Sequence, residues 1–197
     1  MKTFIVVLSL LFTLSSFSQS YRDLSFEKLV QAAQAGDEVA MSFLAENYQH
    51  GHGVAQDYIK ALKWYKKSAE LNYAPAQYNL AALLSSQRSL SQDLPQAFFW
   101  ARKAAEQNNV SAQFLLASLF ERGKGTFKNA SQARKWYQRA AEQEHSQAQF
   151  NLALMLLKGE GGATETQNGM KWLQSAAKLN NTQAKNTLSL IEKAKSQ

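Results

Sequence analysis

The sequence has no cysteine, two prolines and nine glycines in 197 residues. Without cysteine there is no disulfide, no lipid-attachment thiol, no thiolate nucleophile and no thiolate metal ligand. Scarce Pro and Gly leave few obligatory chain breaks, and abundant Ala, Leu, Gln, Lys and Ser favour helix. With 45% hydrophobic residues the chain is long enough for one domain with a true core.

Long apolar runs are also rare. The first, Phe4–Leu14, is shorter than the ~20 residues a spanning helix needs. Lys2 precedes it, and Ser16, Ser18 and Ser20 follow. This arrangement predicts a secretory signal over residues 1–20, cleaved after about residue 18–20. Removing Lys2 with it takes the formal net charge from +7 to +6. An exported protein is expected, periplasmic first and secreted otherwise. Without disulfides such a chain holds together by packing alone, which calls for a regular architecture.

Signatures of chemistry are missing as well. There is no G-x-S-x-G, no H-E-x-x-H and no phosphate-binding loop. No catalytic residues, no cofactor and no metal are expected, and a hydrolase-like enzyme stands last among the readings. One stretch, QHGHGVAQDY at 49–58, places His50 and His52 one residue apart between glycines. No carboxylate or third histidine lies near enough in sequence to complete a metal site.

What the chain has is a period. All four tryptophans, Trp64, Trp100, Trp136 and Trp172, lie 36 residues apart. Leu44, Leu80, Leu116, Leu152 and Leu188 keep the same spacing, as do Ala40, Ala76, Ala112, Ala148 and Ala184. Small pairs follow each Trp: Ser68-Ala69, Ala104-Ala105, Ala140-Ala141 and Ala176-Ala177. Ala40, Leu44 and Tyr48 mark one face of a first helix, and Ala61, Trp64 and Ser68 one face of a second. Small residues let the two backbones approach, with Leu and Trp filling the space between.

Each second helix ends before Asn72, Asn108, Glu144 or Asn180, where a left-handed residue is needed and Glu144 fits worst. Asp57, Asp93 and Asn129 suit the N-cap of the second helix, and Glu165 suits it less. Glycine pairs Gly51/Gly53, Gly123/Gly125 and Gly159/Gly161 close the first helix, and Gln87 and Ser89 replace them in the second unit. His52 is therefore the free middle position, filled elsewhere by Lys124 and Glu160. Opposite charges at one place argue for exposure, not coordination.

One helix pair cannot bury its apolar stripe alone, whereas stacked pairs can. The expected fold is all-α: a right-handed α-solenoid of stacked antiparallel helix pairs with a 36-residue repeat. The expected units are a degenerate capping half-repeat at 21–36, repeats at 37–72, 73–108, 109–144 and 145–180, and a capping helix at 181–197.

The pattern A-x-x-x-L-A-x-x-Y-x-x-G-x-G-V, then D-Y-x-K-A-x-x-W-Y-x-K-S-A-E, resembles the Sel1-like repeat, a relative of the tetratricopeptide repeat with a longer inter-helix loop. The resemblance covers most of the chain after residue 36. Departures are the loop at Gln87 and Ser89, Ala where the family has a first-helix Gly, and Leu173 after Trp172. The resemblance implies a scaffold or adaptor that binds proteins in signalling, secretion or envelope assembly. It equally implies the alternative of a periplasmic immunity protein that neutralises a delivered toxin. The β-lactam link of a cysteine-rich branch does not carry over, because its cysteines are absent.

By analogy with tetratricopeptide arrays, the first helices line a concave binding face. Tyr78, with Ser42, Phe114 and Phe150 at equivalent places, points there or packs between repeats. Phe43, Asn79, Leu115 and Asn151 vary at one position, and variation is what a contact surface permits. Leu154 and Leu157 form an apolar patch or seat the terminal helix. Phe99 stands where other units have Lys63, Lys135 and Lys171.

The second helices carry +3, +1, +2 and +2, and the first helices −2, 0, 0 and +1. A basic convex face is expected, favourable for an acidic protein partner but also for the helix dipoles. No nucleic-acid partner and no transmembrane segment in the mature chain are expected. Capped ends favour a monomer.

Overall fold

The computed structural model describes residues 21–86 and 92–195. The expected signal at 1–20 and the loop positions Gln87 and Ser89 lie outside the described residues. Within them there is no strand. The helices are α1 Phe26–Gln34, α2 Glu38–His50, α3 Tyr58–Glu70, α4 Ala74–Ser85, α5 Leu94–Glu106, α6 Val110–Arg122, α7 Ala130–Glu142, α8 Ser146–Lys158, α9 Thr166–Lys178 and α10 Thr182–Lys195. The chain divides within α4 into two compact units, residues up to Leu80 and residues from Ala81 onward.

The helix limits follow from caps. Asp57 Oδ1 accepts from Lys60 N at 2.9 Å, Asp93 Oδ1 from Gln96 N at 3.0 Å, and Asn129 Oδ1 from Gln132 N at 3.0 Å. Each such cap contributes ~1 kcal/mol. Glu165 makes no such bond to α9. Its carboxylate instead accepts from Asn168 Nδ2 at 2.7 Å and pairs with Arg134. At the other end, Asn72, Asn108, Glu144 and Asn180 all adopt positive φ, between 62° and 67°.

In the unit up to Leu80, α1 and α2 enclose Leu29, Ala33, Ala40, Met41 and Leu44, with Trp64 of α3 packed against them. Tyr21 closes this end. Its hydroxyl donates to Asp37 Oδ2 at 2.5 Å, and that bond, with burial, raises the phenol to about 12. In the unit from Ala81, one cluster joins Ala117, Tyr137, Ala140, Leu152 and Met155, and a second joins Phe150, Leu173, Ala176 and Ala184.

The second-helix stripe differs from the sequence reading at one position. In repeats one, three and four the residue that fills the space between paired helices is the one after Trp: Tyr65 and Tyr137 are 1% exposed and Leu173 is 0% exposed, whereas in repeat two Trp100 itself is buried, as expected. Trp64, Trp136 and Trp172 are half-buried. The physical reason is the helical period. Ala61, Tyr65, Ser68 and Ala69 form the i, i+4, i+7, i+8 face, and Trp64 flanks it.

Candidate functional site

In the unit from Ala81, the first-type helices α6, α8 and α10 border a groove of about 700 Å³. Phe114 and Phe150 form its floor, and Asn151 and Leu154 line it with Gln147 and Gln183. Gln147 Nε2 donates to Asn151 Oδ1 at 3.1 Å within α8 and to Gln183 Oε1 on α10 at 2.9 Å, so these amides are held in place. The groove wall carries Arg122, Lys128 and Lys158 against Glu121 and Glu160. Glu121 Oε2 accepts from Tyr137 OH at 2.7 Å, and Lys158 pairs with Glu160 at 3.7 Å. Burial first, and then that Glu121 bond, push the Tyr137 phenol far above its ordinary range. Arg122 and Lys128 are both exposed, which leaves the wall basic. His145 stacks on Phe114 with ring centroids 4.6 Å apart. Burial lowers its pKa, and its Nδ1 accepts from Ala148 N at 3.2 Å to cap α8.

The unit up to Leu80 has its own groove, of about 410 Å³, between Tyr21, Leu24, Phe26, Phe43, Glu46 and Asn47. Phe43 stacks on Tyr21 with centroids 6.0 Å apart and planes 1° from parallel. Phe43 is thus half-buried in the packing that closes this end.

The other sequence-predicted positions separate. Tyr78 and Asn79 are half-buried on α4, and Leu115 is half-buried on α6. Leu154 touches the terminal cluster as well as the groove. Leu157 packs over Gly169, where a Cβ would come within 2.8 Å of its Cγ. Phe99 is 49% exposed on α5, with the Lys103 ammonium 5.0 Å from its ring centre. The rings of His50 and His52 are stacked 5.5 Å apart. Among the described residues no group of three or more His, Cys, Asp or Glu is placed to hold a metal.

Two features escaped the sequence reading. Phe127, in the loop after α6 and beside groove residue Lys128, is 94% exposed. Its equivalents Ala55 and Ala163 are small, which was the available signal. The other is a set of buried glutamines, Gln77, Gln113 and Gln149, each no more than 2% exposed. Their Nε2 groups donate to the last carbonyls of the preceding helix, Ala69, Ala105 and Ala141. They recur at 36 residues beside the periodic alanines Ala76, Ala112 and Ala148, and a polar residue in that register was the signal.

The Sel1 repeat model matches residues 39–73, 74–109, 110–145 and 146–181. The chain belongs to the Sel1 repeat family. The fold is accordingly that of an α-solenoid built from Sel1 helix pairs, and Sel1 repeats are protein-interaction modules. Similar solved structures include c5321, a protective antigen present in uropathogenic Escherichia coli strains, at 28% identity and TM-score 0.82, covering 86% of this chain and 36% of that one. A Sel1 repeat protein from Oxalobacter formigenes follows at 28% identity and TM-score 0.75, covering 83% and 65%. Helicobacter pylori cysteine rich protein B matches at 25% identity and TM-score 0.54, covering 70% and 98%. The chain spans less than two thirds of the length of the first two. No curated protein matches it. No helix among the described residues is long and apolar enough to cross a membrane.

Proposed function

We propose that this Sel1 repeat protein is an exported, non-catalytic adaptor that binds a protein partner in the groove of α6, α8 and α10. The observation that carries the reading is the makeup of that groove. It has an aromatic floor at Phe114 and Phe150, fixed amides at Gln147, Asn151 and Gln183, and exposed cations at Arg122 and Lys128. Amides bind the backbone of an extended segment, and cations select acidic side chains on it. Phe127 beside Lys128 supplies an aromatic anchor at the rim. Export rests on the Lys2, Phe4–Leu14 and Ser16–Ser20 pattern.

A photo-crosslinking residue placed at 151 tests the site. Exposed to the envelope fraction of its own cell, the mature chain forms a covalent adduct with an acidic protein from position 151. It forms none from position 135, which is exposed on α7. Adducts from 135 alone would move binding to the basic second-type helices. A single partner held very tightly, with no second protein bound at once, would identify an inhibitor rather than an adaptor.

A further inference from the structure

Repeats one to three share a device that repeat four lacks. In each of the three, a cation three residues after the tryptophan lies over its ring: Lys67 at 4.4 Å from the Trp64 centre, Lys103 at 5.5 Å from Trp100, and Arg139 at 4.4 Å from Trp136. The fourth unit has Ser175 at that place beside Trp172.

Two further departures meet at the same spot. In repeat three, Gln143 Nε2 donates to Gln113 Oε1 at 2.8 Å and to Asn108 Oδ1 at 3.0 Å. One repeat later, Leu179 replaces Gln143, Gln149 replaces Gln113, and Glu144 replaces Asn108. The Leu179 side chain has no N–H to give. Gln149, 2% exposed, donates its Nε2 to Ala141 O at 3.1 Å, and its Oε1 has no hydrogen-bond partner. A buried acceptor without a donor is destabilising.

These residues line one pocket of about 360 Å³, at the junction of α7, α8 and α9. Trp172 and Ser175 form one side, Leu179 another, and Gln149 and Glu144 the third. Glu142 adds a second carboxylate, Lys178 a single opposing charge, and the C-terminal end of α7 presents the negative pole of its dipole. The pocket therefore combines an indole without a cation from its own helix, a buried amide oxygen without a donor, and a net negative rim. One group answers all three demands: a planar cation with several N–H donors, which stacks on an aromatic ring and bonds carboxylate and carbonyl oxygens together. Arg139 on Trp136 shows the same stacking made internally one repeat earlier.

We propose that this pocket receives the guanidinium group of an arginine side chain presented by a partner protein. The site is separate from the groove of α6, α8 and α10 and does not depend on how that groove is used. Repeat four lacks the internal cation and the internal amide donor that repeat three has, and the partner's arginine takes the place of both.

The test uses the mature chain and N-acetyl-arginine N-methylamide, read by the Trp172 indole N–H resonance, which Trp172→Phe assigns. Saturable shifts through the millimolar range are expected. The lysine analogue binds several-fold more weakly, and the neutral citrulline analogue gives no saturable shift. Ser175→Arg, which restores the arrangement of Arg139 on Trp136, folds as the native chain does and weakens binding at least ten-fold. An unshifted indole resonance, equal binding of the citrulline or lysine analogue, or undiminished binding to Ser175→Arg would each overturn the proposal.

Discussion

Gln143 Nε2 lies 2.8 Å from Gln113 Oε1, so one carboxamide at the end of α7 completes the hydrogen bonding of another buried in α6. Gln113 is 2% exposed, and without that donor its carbonyl oxygen would be sealed from water and unpaired. The link spans 30 residues and fastens the two helices of one pair to each other. Replacing Gln143 by Leu should cost ~1–3 kcal/mol. The reciprocal change, Leu179→Gln, gives Gln149 Oε1 the donor it lacks and should add ~1 kcal/mol. Denaturant midpoints of the two variants should move in opposite directions. A loss of stability in Leu179→Gln would contradict the assignment.

The second glycine of the G-x-G loops has a position-dependent role. A Cβ on Gly161 would lie 2.4 Å from the Ala130 carbonyl oxygen, whereas one on Gly53 meets nothing within 4 Å. Both residues have positive φ. Gly53→Ala should therefore cost only the backbone strain, ~1 kcal/mol. Gly161→Ala adds displacement of the α7 N-terminus, a further ~1–3 kcal/mol. Thermal unfolding compares them, and equal melting temperatures would show that the close approach is unimportant.

His145 sets a pH dependence of known sign. Burial lowers its folded pKa below the ordinary imidazole range, and the cap it makes to Ala148 requires an unprotonated Nδ1. The unfolded chain thus binds the proton more readily. Stability from this residue is full above the unfolded value, falls as pH drops through it, and levels off below the folded value. Asn109 makes the same cap to α6 without titrating, its Oδ1 accepting from Ala112 N at 2.9 Å. His145→Asn should flatten the fall in melting temperature between about pH 7 and pH 5. A slope identical to the native chain's would exclude His145 as its source.

Phe127 offers a variant that leaves the fold alone. It is 94% exposed and contributes almost nothing to packing. As the proposed aromatic anchor next to Lys128 it should carry ~1–2 kcal/mol of partner binding, roughly ten-fold in Kd. Phe127→Ala should weaken the complex by that factor with an unchanged melting temperature. Unaltered affinity would remove Phe127 from the interface.

The period made most of the architecture legible. Ala112, Leu116, Ala133 and Ala140 recur because helix pairs must approach closely, and all four are 0% exposed. The caps at Asp57, Asp93 and Asn129, and the left-handed Asn72, Asn108 and Asn180, follow from local backbone chemistry that needs no partner. Less legible was which aromatic of the Trp-Tyr pair faces inward, because adjacent residues on a helix differ by only ~100° and both are apolar. The buried glutamines were passed over because a polar residue reads as surface until its partners are known. The groove of α6, α8 and α10 and the pocket of α7, α8 and α9 draw residues from three helices each, and no single window of sequence brings Phe114, Asn151 and Gln183 together.

The central claim is that a basic, amide-lined groove on α6, α8 and α10 binds an acidic protein segment. Arg122 and Lys128 are exposed on its wall. The most direct measurement is a calorimetric titration of the crosslinked partner, once purified, into the native chain and into the Arg122→Glu, Lys128→Glu double variant. The account predicts a one-to-one complex that weakens with added salt and loses at least ten-fold in affinity in the double variant, at an unchanged melting temperature. Affinity that is indifferent both to salt and to the two charge reversals would contradict it.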